Sequence, residues 1–328
     1  MNMNSKNYKF TFILEPEFPI NSYILATEAL RIANQYHMQK IFLVELISEK
    51  GKRVRSSNGM WFETDGSLDE IYKPDFIFLF SSNLPTQKKS KKLLSVLREF
   101  HHNKSVIVAV DTAAFTFAQA GLINKNTKIT LHWETKQIFL ERYPDIEVTD
   151  NVCAINGNMH FCSGGIAMLD YMIEIIIKLK GPLLAKEISD ALIHKPRNLN
   201  QSQKSDEGIS MKSTLCQKAI KIMEQNIEFP IAISNLAKKL NISIRTLERQ
   251  FLKNYETTPI KFYIKIRLTY ARNFLFYEDY KINDIAHICG FHYNSIFINS
   301  FVKEFNKTPT EFRKYFRKQQ NSTLQTRI

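Results

Sequence analysis

Two stretches late in the chain follow one plan, and a pattern that recurs in order leaves few folds open to it. The first, ISNLAKKLNISIRTLERQFLKNYETTP, covers residues 233–259; the second, INDIAHICGFHYNSIFINSFVKEFNKTP, covers residues 282–309. Each opens with a short helical segment bearing an apolar pair, Leu236-Ala237 or Ile285-Ala286. Each then meets a residue that tolerates positive φ, Asn241 or Gly290. A serine follows, Ser243 or Ser295, then apolar residues alternate with polar ones, and both stretches close at Thr-Pro. Leu247 with Phe251, and Phe297 with Phe301, carry the spacing of a single helix face. A short helix, a sharp turn and a second helix, apolar inward and polar outward, make up the helix-turn-helix plan. Its second helix enters the DNA major groove.

The charge agrees with that reading once it is located. Of the net +13, residues 211–328 carry +11, with 20 Lys+Arg against 9 Asp+Glu, and residues 1–210 only +2, with 25 against 23. Such asymmetry points to a polyanionic partner, although charge alone does not separate DNA from RNA or an acidic membrane. No window offers the roughly eighteen uninterrupted apolar residues of a membrane span. The polar start MNMNSKNYKF leads straight into a strand-like run, so no signal peptide is expected and the location expected is cytoplasmic. Cys153, Cys162, Cys216 and Cys289 lack C-x-x-C spacing and read as buried thiols in a reducing compartment. With His101, His102 and His160 they form no coherent ligand set, so neither a metal nor a cofactor is expected.

A chain of 328 residues is long for one domain. Its first part alternates short β-rich apolar runs (residues 8–14, 41–47, 76–80, 106–110) with helix-length stretches (22–36, 87–101, 112–120). Two further strands are expected at 152–155 and 159–162, joined by the turn Asn156-Gly157, with helices at 165–179 and 182–194. This order predicts an α/β domain, a mostly parallel sheet sandwiched by helices. Residues 195–213 are polar and aperiodic and read as a linker. Beyond them the pattern is all-α, with helices expected at 214–226, 233–240, 244–254, 260–276, 282–289, 294–305 and 309–317. The long connecting helix bears the stripe Ile264, Leu268, Ala271 and Leu275. The organisation expected is therefore a domain over 8–194, a linker over 195–213 and a DNA-binding domain over 214–318.

The C-terminal region resembles the AraC-type DNA-binding domain in both halves and in the connecting helix. The resemblance rests on Ser243, Arg245, Leu247, Arg249 and Phe251, on Arg267-Leu268 and Ala271, and on a second-unit series. That series is Ile285-Ala286, Gly290-Phe291, Ser295, Phe297, Phe301, Phe305, Thr308-Pro309 and Arg313. Three positions depart from the family: its second-helix arginine is Asn299, and two of its glycines are Glu256 and Asn306. Amide and guanidinium read different base edges, so the asparagine alters what the second helix can recognise. The residues expected to meet double-stranded promoter DNA are Ser243, Arg245, Thr246, Arg249, Lys253, Asn294, Ser295, Asn299 and Lys303.

The first part resembles the PfpI-like branch of the class I glutamine-amidotransferase superfamily, in the arrangement of GlxA-type regulators. The matching pieces are VIVAVDTAAFTFAQAGLI with Leu131-His132-Trp133, Glu28 within ATEALRIAN, Cys162-Ser163-Gly164-Gly165, and Pro196-Arg197 with Gln201-Ser202. The resemblance implies a flavodoxin-like fold, and in active members a cysteine on the turn after the central strand. Here that position is Asp111, with Glu28 and His132 at matching places. A carboxylate is a far poorer nucleophile than a thiolate at neutral pH, so no catalytic residue is expected. Asp111 is read either as the cap of a helix starting at Thr112 or, with Glu28 and His132, as the lining of an effector pocket. The expected function is a transcription regulator whose first domain binds an effector or forms a homodimer. The alternative is a PfpI-like amidase, hydratase or deglycase with an accessory DNA-binding tail.

Overall fold

The computed structural model describes residues 6–81, 87–203 and 214–315. The chain divides into two compact units, residues 1–204 and 205–328.

In the first unit the strands are β1 (Tyr8–Leu14), β2 (Phe42–Ser48), β3 (Val54–Arg55), β4 (Trp61–Phe62), β5 (Gly66–Ser67), β6 (Phe76–Phe80), β7 (Val106–Val110), β8 (Cys153–Asn156) and β9 (Met159–Cys162). The helices are α1 (Ile20–His37), α2 (Lys91–His102), α3 (Ala114–Gln119), α4 (Lys136–Arg142), α5 (Ala167–Lys180) and α6 (Pro182–Ala191). Seven strands form one sheet in the order β5-β2-β1-β6-β7-β9-β8, and every pairing is parallel except β8 with β9. The near-continuous apolar runs are explained by burial on both faces. On one face Phe10, Phe12, Leu14, Phe78, Phe80, Val108 and Val110 share a core with residues of α1, α5 and α6. The alternate residues Ile13, Ile77, Leu79, Ile107 and Ala109 are buried too, and Phe117 of α3 packs edge-on against Phe161 of β9. Phe10 stacks on Phe76 at 4.6 Å, tying β1 to β6 at the middle of the sheet.

The order of strands reverses between β1 and β6, so the crevice at their carboxyl ends is where such a sheet offers a site. Residues just past three of these ends face that edge: Glu15 after β1, Ser81 after β6 and Asp111 after β7. The short strands β3–β5 and the helix α4 were not among the expected elements. Residues 195–203, expected as the first part of a linker, instead lie in the first unit. The buried carboxylate of Asp170 accepts from His194 Nε2 at 2.7 Å, from the Arg197 N–H at 2.9 Å and from Arg197 Nε at 2.8 Å. The N–H groups of Val152 and Cys153 then donate to the carbonyls of Gln201 and Leu199. The rest of that linker, residues 204–213, lies outside the described residues.

The second unit comprises α7 (Thr214–Glu224), α8 (Ile233–Lys239), α9 (Ile244–Tyr255), α10 (Pro259–Tyr277), α11 (Ile282–Ile288) and α12 (Asn294–Phe305), with residues 309–315 helical as well. The expected last helix and domain end, at 317 and 318, lie outside the described residues. A first core joins Cys216, Ala219 and Met223 of α7 to Leu236, Ala237, Leu247, Phe251 and Tyr263. A second set of buried residues comprises Leu268, Ala271, Leu275, Ile285, Ala286, Phe297 and Phe301. The helix α10 serves both halves. Near its start Phe262 packs on Phe251 and Tyr255, and the Tyr263 hydroxyl donates to the Asn226 carbonyl. Further along, Arg267 donates from Nε to the Cys289 carbonyl at 2.8 Å and from a terminal nitrogen to the Gly290 carbonyl at 2.7 Å.

Candidate nucleic-acid interface and the edge of the sheet

In the first helix-turn-helix unit, Ser243 caps α9: its hydroxyl accepts the Thr246 N–H at 3.1 Å and lies 2.9 Å from the Thr246 hydroxyl. These two candidates therefore satisfy one another at the start of the helix. Arg245, Arg249 and Lys253 are exposed and recur every four residues, so they line the face opposite the fully buried Leu247 and Phe251. The turn is made at Asn241, whose φ is +54°.

The second unit turns at Gly290, φ +73°, but takes one residue more. Residues 240–243 join α8 to α9, whereas residues 289–293 join α11 to α12. The capping place of Ser243 is thus held by Tyr293, and Ser295 stands level with Arg245 rather than with Ser243. The two serines, alike in the sequence pattern, therefore hold different places: Ser243 is the cap, whereas Ser295 lies within the first turn of its helix. Ser295, Asn299 and Lys303 are exposed on α12 as Arg245, Arg249 and Lys253 are on α9. Asn294 is half-buried and its amide donates to the exposed Asn283 of α11, tying the two helices at the surface.

At the edge of the sheet, Asp111 is the first residue after β7 and adopts a left-handed φ of +60°. Its N–H donates to the Cys162 carbonyl at 2.9 Å, and its carbonyl accepts from the His132 N–H at 3.3 Å. It does not cap the following helix: α3 begins at Ala114 behind Ala113, with no side-chain cap. The carboxyl lies against Gly164, where an added Cβ would come within 2.9 Å of an Asp111 oxygen. Gly164 is also at φ +82°, so both geometry and space favour glycine there. Burial raises the Asp111 pKa to about 6, with His132 drawing it down and Glu134 adding to the rise. The next residue of the loop, Gly165, donates its N–H to the buried Ser22 Oγ at 2.8 Å.

Of the three expected pocket residues, the structure groups Asp111 with His132. Glu28 lies further along α1, partly exposed, and is gripped by Arg31, whose Nε reaches its two oxygens at 2.9 and 3.0 Å. The α1 hydroxyl that meets the Gly164-Gly165 loop beside Asp111 is that of Ser22. A further polar group fills the crevice between β1 and β6. Lys89, almost wholly buried, donates to both oxygens of Glu15 at 2.9 and 2.8 Å, and the Ser81 hydroxyl also donates to Glu15. Among the described residues no group of three or more His, Cys, Asp or Glu side chains is placed to hold a metal ion, and no helix is long and apolar enough to cross a membrane.

Residues 19–178 match the DJ-1/PfpI family, and residues 236–315 match a helix-turn-helix domain. The chain is 31% identical over 307 residues to the HTH-type transcriptional regulator CdhR of Pseudomonas aeruginosa, covering 93% of this chain and 91% of that one. It belongs to the AraC-type helix-turn-helix regulators that carry a DJ-1/PfpI domain. Within this family it is also 28% identical over 308 residues to GlxA of Rhizobium meliloti, covering 92% of this chain and 94% of the relative. The fold of the sheet domain is shared with an AraC family transcriptional regulator from Pseudomonas putida. That structure is matched with a TM-score of 0.51 and 21% identity, over 56% of this chain and 99% of that one.

Two features of this family member escaped the sequence reading. Ser22 has no charge and sits in an ordinary amphipathic run, so nothing marks it until the Gly164-Gly165 loop is seen to close on it. Arg267 was visible as part of a signature, but not as a clamp on the second turn, where its guanidinium also lies 4.0 Å over the Phe291 ring.

Proposed function

We propose that the chain is a cytoplasmic, sequence-specific regulator that binds promoter DNA, and that its DJ-1/PfpI domain binds a small-molecule effector or forms a homodimer without catalysing a reaction. The first part is carried by the outward face of α9, where Arg245, Arg249 and Lys253 stand exposed at helical spacing. Guanidinium groups in that position reach guanine edges and phosphates alike. The names of the full-length relatives, all transcriptional regulators, agree. Selection of the full chain on random duplexes tests the reading: one site should be enriched over competitor DNA, and the double variant Arg245→Ala, Arg249→Ala should lose it. Indifference to sequence at all salt concentrations would count against a regulator.

The non-catalytic role rests on Asp111. The nucleophile turn holds a carboxyl, and the two cysteines of the domain, Cys153 and Cys162, are buried in paired strands. Burial pushes the Cys153 thiol well above its usual pKa, the reverse of activation. Asp111→Cys should therefore create a thiol that reacts with a limiting reagent at neutral pH, while the parent domain stays unlabelled. Rapid labelling of the parent, with turnover of an amide or aldehyde, would favour the enzyme reading. The effector half is supported by Asp111, His132 and the Glu15–Lys89 pair gathered at the carboxyl edge of the sheet, where open α/β sheets bind ligands. Repeating the duplex selection with metabolite extract tests it through a shift in affinity.

A further inference from the structure

We propose that the two recognition helices read different base chemistry: α9 faces guanine-bearing pairs, whereas α12 faces A·T pairs through a thymine methyl on Ile296 and an adenine edge on Asn299. The inference rests on the DNA-binding reading above and extends it to what each half of the site must contain.

The case begins with register. The two helices have equal length, and their buried residues superpose as Leu247 with Phe297 and Phe251 with Phe301. Outward positions then correspond without ambiguity: Arg245 with Ser295, Thr246 with Ile296, Arg249 with Asn299, Lys253 with Lys303. The first helix has three basic residues against Glu248 alone; the second has Lys303 against Glu304, which is itself paired with Lys265 at 2.8 Å. Helix-turn-helix readers use the N-terminal part of the second helix for base edges. There α9 presents two guanidinium groups, whose bidentate partner is guanine O6 and N7. In the same place α12 presents no cation.

What α12 does present is an apolar branch and an amide. Ile296 is 54% exposed on the outer side of a helix that already buries Phe297 and Phe301. Its counterpart Thr246 is only partly exposed and its hydroxyl is engaged with Ser243. An aliphatic side chain held into a major groove gains only where the groove is itself apolar, and the thymine C5 methyl is the one such group there. Asn299, one turn further on and exposed, has the donor and acceptor pair that matches adenine N6 and N7. Two neighbouring positions thus favour A·T by separate chemistries, and the site as a whole has a direction.

The test uses the full chain and the duplex it selects. A cleavage reagent tethered at Val302→Cys, exposed on α12 but not among the expected contacts, marks the half-site under α12, since the four native cysteines are buried. Uracil then replaces thymine in that half, removing only the methyl group. We expect affinity to fall about fourfold, the worth of roughly one buried methyl. Ile296→Ala should bind thymine and uracil duplexes equally, while Ile296→Leu keeps part of the preference. In the other half 7-deazaguanine should weaken the parent, and should weaken Arg249→Ala less, because only Arg245 is then left to read a guanine N7. Guanine-rich sequence under the tether, or uracil sensitivity that survives in Ile296→Ala, overturns the inference alone. A chain that enriches no site overturns the regulator reading and this inference together.

Discussion

Set side by side, the two helix-turn-helix units agree in what they bury and differ in how they turn and what they show. Both pair a seven-residue helix with a twelve-residue one, and both place an aromatic or leucine at the same inward positions. The first turn is shorter, exposed at Asn241, and its recognition helix is capped by a serine. The second is longer and buried at Gly290, and Arg267 holds it from the connecting helix. One unit therefore carries its charge outward, and the other spends a cation on its own architecture. A duplicated pattern in sequence fixes the packing face and leaves the functional face free to diverge.

The largest effect should come from the turns. A Cβ at Gly290 would lie 2.4 Å from the Ile227 carbonyl oxygen and 2.6 Å from a Pro230 carbon, at a φ that already disfavours side chains. Both are backbone or ring atoms with little room to move. Gly290→Ala is expected to destabilise by on the order of 3 kcal/mol or more, enough to unfold the second unit. Asn241→Gly, at the equivalent point of the first unit, should change stability by only a few tenths of a kcal/mol. Denaturant unfolding of both variants checks the contrast. Equal effects would mean that the two turns are packed alike after all.

The next effect is on binding. Arg245→Ala and Arg249→Ala should each weaken the selected duplex by about ten- to a hundredfold, the range of a lost bidentate base contact. Asn299→Ala should cost less, because one amide replaces a guanidinium and brings no charge. A residue that meets phosphate rather than a base should lower the salt dependence by about one unit of slope and weaken all sequences evenly. Titrations at several salt concentrations separate the two. A dominant Asn299 effect would mean that the second unit, not the first, carries most of the affinity.

Much of this is legible in the sequence. Residues 8–14, 76–80 and 106–110 are apolar without a break because both sheet faces are covered, and the strands occupy those same positions. Asn241 and Gly290 stood out as residues able to take positive φ, which both do. What stayed hidden depends on distant partners. Residues 195–203 look like linker because they are polar, yet the Asp170 carboxylate and the backbone of 152–153 hold them to the first unit. Asp111 looks like a helix cap because it precedes a helix, yet its positive φ and Gly164 turn its carboxyl elsewhere. Glu28 looks like the acid of a site, whereas the α1 side chain that meets the Gly164-Gly165 loop is Ser22, which nothing marks until that loop is seen.

The smallest effect probes the far ends of the recognition helices. Glu256 and Asn306 close α9 and α12 in the left-handed conformation, each at φ +55°, with N–H groups donating to Leu252 and Val302 carbonyls at 3.0 and 2.8 Å. Left-handed backbone costs most L-residues about 1–2 kcal/mol, whereas asparagine visits it readily. Glycine removes that strain but gives the unfolded chain more freedom, which takes back roughly half of the gain. Glu256 has a second handicap, a negative charge beside the helix C-terminus. Glu256→Gly should therefore stabilise by about 0.5–1 kcal/mol, and Asn306→Gly by close to nothing. Glu256→Gln isolates the charge, since it keeps the side chain and the strain; it should recover only about 0.3 kcal/mol of the gain. The three midpoints, read under one denaturant, order the causes. If Asn306→Gly gains as much as Glu256→Gly, left-handed strain is not what separates the two helix ends.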